Sequence, residues 1–398
     1  MPTEYLRERS KTSRALLRRA VSVVNPDCLP ENDASVHTPV AGGDGVVFRI
    51  PLRLDDAGPG ATRAMALETT GPVAALGAAD PLLGRALVSS TGRKPRILVL
   101  LACFNGAKWI GEQLESVLAQ HDVDLRVIIR DDGSSDATMT EIDRFHGDGR
   151  VKSYAGRPPT GSAAQNFLAL IRDNPADGFD FVAFADQDDA WNPNKLATAC
   201  RMLTSSRHAA GYSSSTVATW PNGRRALFTQ SARVSSVDFL FEGGGQGCTY
   251  VLRSRFYARI HAFAIRHRQL TEQVGYHDWM VYALARSWGS SWLFDASPSM
   301  CYRQHATNDT GARSASAGVR KRFDRLRRGW YCNQLRVIAS ICATAAPGNP
   351  TIERWTKTLF AAKDRHRNLQ IALYCLQGAR RRRLDNLIIA AAALVGWL

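Results

Sequence analysis

The stretch Phe181-Val182-Ala183-Phe184-Ala185-Asp186-Gln187-Asp188-Asp189 decides how the chain is read. Five apolar residues run without a break into three carboxylates within four residues. An unbroken short apolar run is the pattern of a strand buried on both faces, and such strands belong to parallel sheets covered by helices. The carboxylates then stand at the strand's carboxyl end, where they repel one another unless a cation or a hydrogen-bond network offsets the charge. Hard oxygen donors of this kind suit Mg²⁺ or Mn²⁺. An acidic turn capping the next helix, with Asp189 or Asn192 as N-cap, accounts for the same residues.

Working outward, Arg96 to Ala102 is another apolar run bounded by turn formers, and Ile110, Leu114, Val117 and Leu118 follow at helical spacing. Leu125 to Ile129 predicts a second strand, ending at Arg130-Asp131-Asp132-Gly133-Ser134-Ser135-Asp136. Thr138 to Phe145 and Gln165 to Arg172 predict helices. This alternation implies a parallel sheet with helices on its faces, whose ligands lie at the carboxyl ends of the strands. Two acidic clusters fall at two such ends. Carboxylates like Asp131 and Asp132 accept hydrogen bonds from a base N–H or a ribose hydroxyl; a capped strand–helix loop explains them as well. At the first strand's end, Cys103-Phe104-Asn105-Gly106 forms a turn able to hold the edge of a base, although Asn-Gly marks many turns.

The bulk properties set bounds. The chain has 398 residues, 45% hydrophobic, enough for a large core. With 51 Lys and Arg against 36 Asp and Glu, the formal charge is +15. This balance points to anionic partners such as nucleotide phosphates, nucleic acid or an acidic membrane face, and it also aids solubility. None of the eight cysteines forms a C-x-x-C pair, which fits buried, reduced thiols in a cytoplasmic protein and excludes the usual zinc spacings. No signal-peptide pattern is seen, and no run reaches the roughly 18 apolar residues of a membrane span. Residues 1–93 have weak periodicity, with a basic stretch at Arg7 to Arg19 and a strand-like Val46 to Ile50, and read as a poorly ordered or small N-terminal extension. Residues 313–398 read as a basic helical region, with Arg380 to Arg383 before the apolar run Leu387 to Leu398.

Taken in order, these pieces resemble the inverting family-two glycosyltransferases of GT-A fold, above all their bacterial rhamnosyltransferase-like branch. The likeness rests on Cys103-Phe104-Asn105-Gly106, Arg130 to Asp136 and Ala185 to Trp191. Downstream it rests on Gly243-Gly244-Gly245-Gln246-Gly247-Cys248, His277-Asp278-Trp279, and Tyr302-Arg303-Gln304-His305 with Asn308 and Gly311. It covers about residues 94–312. It implies a Rossmann-like α/β domain there, with a mixed, mostly parallel sheet flanked by helices and a helical C-terminal extension. It further implies that Phe104, Asn105, Asp131, Asp132 and Asp186 bind the nucleotide, and that Asp188 and His305 serve the metal. Asp278 becomes the general base. Gly245, Gln246, Trp279 and Trp191 become acceptor or sugar contacts, with core packing an equal account of the tryptophans.

The function so implied is metal-dependent, inverting sugar transfer from a nucleotide-sugar, either dTDP-rhamnose (the favoured donor) or a UDP-sugar. The acceptor is a saccharide, lipid-linked ones included, in bacterial surface polysaccharide assembly. The basic tail suits peripheral contact with the anionic inner membrane face. The processive members' Gln-x-x-Arg-Trp motif is missing, which favours single-sugar transfer. A nucleotidyltransferase would want a Gly-rich basic loop after the first strand, whereas Gly92-Arg93-Lys94 precedes it. A nucleic-acid-binding protein would interleave basic and aromatic residues across the fold; here the strand ends are acidic, so no specific nucleic acid is expected.

Overall fold

A computed structural model describes residues 93–230, 233–305 and 323–398. The expected N-terminal elements, Cys28, Asn308 and Gly311 lie outside these residues. The first strand, β1 (Arg96–Cys103), is buried from Ile97 onward. Its side chains alternate between two cores: Leu98, Leu100 and Ala102 enter one, while Ile97, Val99, Leu101 and Cys103 enter the other. That two-sided burial is why the run carries no polar alternation.

Helix α1 (Ile110–Leu118) leads to β2 (Asp124–Asp131), and α2 (Thr138–Asp143) to β3 (Val151–Ala155). Helix α3 (Ala163–Asp173), capped by the Ser162 side chain on the Gln165 N–H, then returns the chain to β4 (Phe181–Asp186). Strands β3, β2, β1 and β4 lie side by side and parallel. The chain moves from β1 outward to β3, then crosses back to β4 on the other side of β1. This reversal opens a crevice at the carboxyl ends of β1 and β4, the place where open α/β sheets take their ligands. In register, Ala102 pairs with Asp186 there.

The remainder of the sheet is mixed. Strand β5 (Ala190–Trp191) and helix α4 (Lys195–Ser205) precede β6 (Ala209–Thr219), its hairpin partner β7 (Arg225–Phe228) and β8 (Val251–Arg253). Helices α5 (Ser254–Arg266), α6 (Arg268–Thr271) and α7 (His277–Ser287) lead to the long β9 (Ser291–Arg303). Strand β8 joins β4 and β6 antiparallel, while β9 runs parallel to β6 and antiparallel to β5. The expected mixed α/β sheet is present, with its parallel half gathered at β3–β2–β1–β4.

Four helices end the chain: α8 (Trp330–Ala345), α9 (Pro350–Phe360), α10 (Arg365–Leu376) and α11 (Arg383–Leu394). They extend one of the sheet's two cores rather than making a separate one, since Leu335, Ile338, Trp355, Ile371 and Ile389 join the cluster containing Leu98 and Phe184. Phe241 meets Trp355 edge-on at 4.8 Å, and Trp279 stacks on Tyr331 at 5.8 Å. Seven of the eight cysteines are described, and all seven are free thiols, with only Cys301 partly exposed. Among the described residues, no helix is long and apolar enough to cross a membrane.

Candidate active site

The crevice between β1 and β4 is lined by three turns that hold one another. Phe104, at the end of β1, is 53% exposed. Gln187 grips its backbone twice: Phe104 N donates to Gln187 Oε1 at 2.8 Å, and Gln187 Nε2 donates to Phe104 O at 2.9 Å. Asn105 has φ 48°, a left-handed conformation that asparagine tolerates. Its N–H donates to Ser134 Oγ, and its Oδ1 accepts from Ser135 N, both at 2.8 Å. The turn after β1 is thereby sewn to the turns after β4 and β2.

Both carboxylates after β2 are buried and heavily hydrogen-bonded. Asp131 accepts from Gly133 N at 3.2 Å, from Ser134 N at 2.9 Å and from the Ser134 hydroxyl. Asp132 accepts from Arg130 Nη1 at 2.7 Å, Thr160 N at 2.8 Å, Thr160 Oγ1 at 2.9 Å and Gly161 N at 2.9 Å. Arg130 in turn donates to Asn166 Oδ1 at 2.7 Å. Asp131, with Gly133 and Ser134, lines a cavity of about 480 Å³ together with Gly156 and Pro159. In the sequence Thr160 and Gly161 gave no sign of donating to Asp132, because they lie in a loop without periodicity.

The acidic turn after β4 is pinned by its backbone. Gln113 Nε2 donates to Asp186 O at 2.9 Å, and Arg303 Nε donates to Asp188 O at 3.0 Å. Arg303 also pairs with Glu112 at 2.8 Å and lies 4.4 Å over the Trp109 ring, which stacks on His305 at 5.7 Å. His305 Nε2 stands 2.7 Å from Asp188 Oδ2, so two residues separated by 117 positions meet.

Asp189 is fully buried, and its Oδ2 has no hydrogen-bond partner. Burial, with the charges of Asp188 and Asp186 beside it, holds its carboxyl well above the usual carboxylate range. Ligand atoms of Asp186, Asp189 and Cys248 lie within 4.8 Å of one another. Burial, with Asp189 and Asp186 beside it, raises the Cys248 thiol well above its usual range, and a hard cation prefers the carboxylate oxygens to sulfur. An orphaned buried oxygen close to a second carboxylate fits a hard divalent cation. Beneath the cluster, Lys195 is buried, donating to Cys248 O at 3.2 Å and lying 3.4 Å over the Trp191 ring. Burial brings its ammonium down to about 7, although Cys248, Asp189 and Asp186 act to raise it.

The glycine-rich segment links this cluster to Asp278. A side chain on Gly247 would place its Cβ 2.7 Å from His277 Nε2 and 3.1 Å from Asp278 Cβ, so only glycine lets the segment lie against the start of α7. Asp278 sits in the first turn of that helix, partly exposed. Burial pushes its carboxyl up to about 6, opposed by the backbone N–H groups of Trp279, Asp278 and Gly247. Its neighbour His277 is a core residue: it stacks on Phe167 at 4.0 Å, and burial lowers its imidazole to about 3. Gln246 is tied down, accepting from Gln230 Nε2 at 2.7 Å and donating to Thr216 Oγ1 at 3.2 Å. Gly245, at φ 116°, backs onto Gln230.

The two tryptophans are corrected by the structure. Trp191 and Trp279 are each only 4% exposed. Trp279 donates its indole N–H to Phe239 O at 2.9 Å, and Trp191 roofs Lys195. They are packing residues, out of reach of a sugar ring. The basic run at the chain's end also divides. Arg380 pairs with Glu242 and Asp385, and Arg381 pairs with Asp238 and donates to Gly243 O at 2.6 Å. Only Arg382 and Arg383 are exposed.

Comparison with known proteins follows the same lines. Residues 98–275 match the family described as Glycosyl transferase family 2. The chain is 34% identical over 247 residues to the dTDP-rhamnosyl transferase RfbG of Shigella flexneri, covering 61% of this chain and 84% of that protein. The chain belongs to glycosyl transferase family 2. The chain is also similar to the Escherichia coli UDP-Glc:alpha-D-GlcNAc-diphosphoundecaprenol beta-1,3-glucosyltransferase WfgD, 25% identical over 44% of this chain and 66% of that protein. Among solved structures, Staphylococcus aureus TarS 1-349 in complex with UDP covers 74% of this chain and 90% of its own, with a TM-score of 0.46 and 13% identity. In this family-two glycosyltransferase the motif residues Asn308 and Gly311, after His305, lie outside the described residues.

Proposed function

We propose that this glycosyltransferase moves rhamnose from dTDP-rhamnose to a saccharide acceptor by inversion, within bacterial surface polysaccharide assembly and at the inner membrane face. Residues 94–312 would form the catalytic unit and 313–398 its helical extension. The observation that carries the reading is the partly exposed Asp278, raised toward neutral pH and set beside the glycine segment that leads to the acidic cluster. The donor follows from the likeness to dTDP-rhamnosyl transferase RfbG.

In this reading the nucleotide lies in the crevice after β1 and β4. Phe104 and Asn105 meet the base, Asp131 and Asp132 fix the shape of its cavity and face the nucleoside, and Asp186 faces the ribose. Asp188, Asp189 and His305 would hold Mg²⁺ or Mn²⁺, which supplies positive charge to a departing diphosphate. Asp278 takes the proton from an acceptor hydroxyl held near Gly245 and Gln246. The hydroxyl oxygen then forms the bond to the anomeric carbon. The bond to the diphosphate oxygen breaks with its electron pair leaving on the nucleotide, and the configuration inverts. No covalent enzyme intermediate is needed.

The test is thermal melting of the purified chain with dTDP-rhamnose, UDP-glucose, UDP-galactose or GDP-mannose, each with and without Mg²⁺ or Mn²⁺. A ligand that binds only the folded state raises Tm. The expected result is a shift with dTDP-rhamnose that depends on the metal. A shift with another sugar nucleotide alone would reassign the donor, and none at all would overturn the site.

A further inference from the structure

The last two helices form a hairpin whose outer face is apolar. Leu369, Leu373 and Leu376 recur on one side of α10, and Leu384, Leu387 and Leu394 on one side of α11. Positions three, four and seven apart share a helix face. All six leucines are exposed to about half of their surface, and Phe360 and Val234 add to them. Elsewhere among the described residues, the only exposed large apolar side chains are Phe104, Leu227 and Ile265. Leu376 and Leu387 meet at a hollow of about 410 Å³ that Arg233, Arg380 and Arg383 also line. A contiguous apolar surface rimmed by charge marks an interaction site.

Charge selects the partner. Residues 365–394 carry six arginines against the single carboxylate Asp385. The acidic groups that pack against the hairpin loop are Glu242 and Asp238, and both are engaged by Arg380 and Arg381, as is Asp385 by Arg380. Arg382 and Arg383 are exposed and form no ion pair among the described residues. A second copy seated on this face would bring arginine against arginine, which like-charge repulsion opposes. An anionic lipid surface satisfies both features, since leucines enter the acyl boundary while arginines meet the headgroups.

We infer that the α10–α11 hairpin is a docking surface for an anionic bilayer, and that it presents the Asp278 side of the site to acceptors held there. The connection is direct: Arg381, next to Arg382, donates to Gly243 O at the start of the glycine segment at 2.6 Å. The inference rests on the proposed transferase reading for its acceptor, which would be a saccharide on a lipid carrier, but the docking itself is measured independently.

The experiment is flotation of the full chain with vesicles of phosphatidylcholine alone or of phosphatidylcholine mixed with phosphatidylglycerol. Binding is expected only with the anionic vesicles and should weaken with salt. Arg382→Gln with Arg383→Gln should weaken it about thirtyfold, at roughly fivefold for each basic residue near such a surface. Leu373→Gln with Leu387→Gln should weaken it similarly, with Tm and the donor-induced melting shift unchanged. Equal binding to neutral vesicles, or none to either, overturns the inference, as does a stable dimer in solution that both double variants dissolve. A donor-induced shift without flotation removes the docking surface and leaves the transferase reading intact; flotation without any donor shift does the reverse.

Discussion

Two acidic clusters stand at the strand ends of the same crevice, and they are built in opposite ways. After β2, Asp131 and Asp132 are surrounded by donors, four of them on Asp132 alone. After β4, Asp189 has an oxygen without a partner and a carboxyl held above its usual range. A carboxylate with all its acceptor positions filled is structural steel for a loop; one left short of donors is poised to take a ligand that the chain does not itself provide. The two clusters look alike in sequence and differ in what their surroundings donate. Asp278 differs from both: backbone N–H groups reach it, yet burial still raises its carboxyl toward neutral pH.

That contrast can be broken at its strongest point first. Asp278→Asn should lower the rate of transfer by about 10²- to 10⁴-fold, the usual contribution of a general base. The parent should lose rate about tenfold per pH unit below about 6, as the carboxyl takes up its proton, and the variant should show no such limb. The sign for stability is opposite. A carboxyl with a raised folded value costs stability once pH rises through that value, so the variant's Tm at neutral pH should equal or exceed the parent's. A variant that keeps near-normal transfer would remove Asp278 from the chemistry.

The next effect falls on the saturated cluster. Asp132→Ala strands the buried Arg130, whose partner at 2.7 Å is gone. Losing one member of a buried pair costs about 3–5 kcal/mol, readable as a lower midpoint of urea unfolding. If the variant instead unfolds like the parent but no longer binds donor, the Asp132 network is not what holds the loop. The smallest effect is expected at Asp189→Asn. Transfer should fall on the order of a hundredfold with loss of the metal-dependent melting shift, since even outer-shell changes cost 10- to 100-fold. Metal-free Tm should stay level or rise, because the variant removes a carboxyl whose charged form is disfavoured by burial and by Asp188 and Asp186 beside it. A fall in metal-free Tm would make Asp189 another structural carboxylate and erase the contrast.

The parallel half of the sheet was legible because β1 and β4 are buried on both faces, and an unbroken apolar run has few other readings. The contact of Asp188 with His305 could not be read locally, since no periodic pattern links residues so far apart; motif order had only set both on the metal side. What escaped notice depended on donors from distant or irregular chain. Thr160 and Gly161 sit in an aperiodic loop, and Gln187 could be seen as a clamp on Phe104 only once the crevice had closed. For the tryptophans, sequence left sugar stacking and core packing open. A tryptophan next to a motif aspartate carries the same letters whether its ring faces solvent or, as here, packs in the core.

The reach of Arg381 has a consequence for how such enzymes diversify. Its guanidinium seats the glycine segment from 138 residues further along the chain, and its backbone N–H donates to the Glu242 carboxylate just before that segment. A chimera that takes the segment from one relative and the terminal helices from another would separate the two halves of a single fitting. Inheritance of whatever this segment recognises is therefore expected to follow a discontinuous unit, loop together with hairpin, rather than any contiguous stretch of the gene.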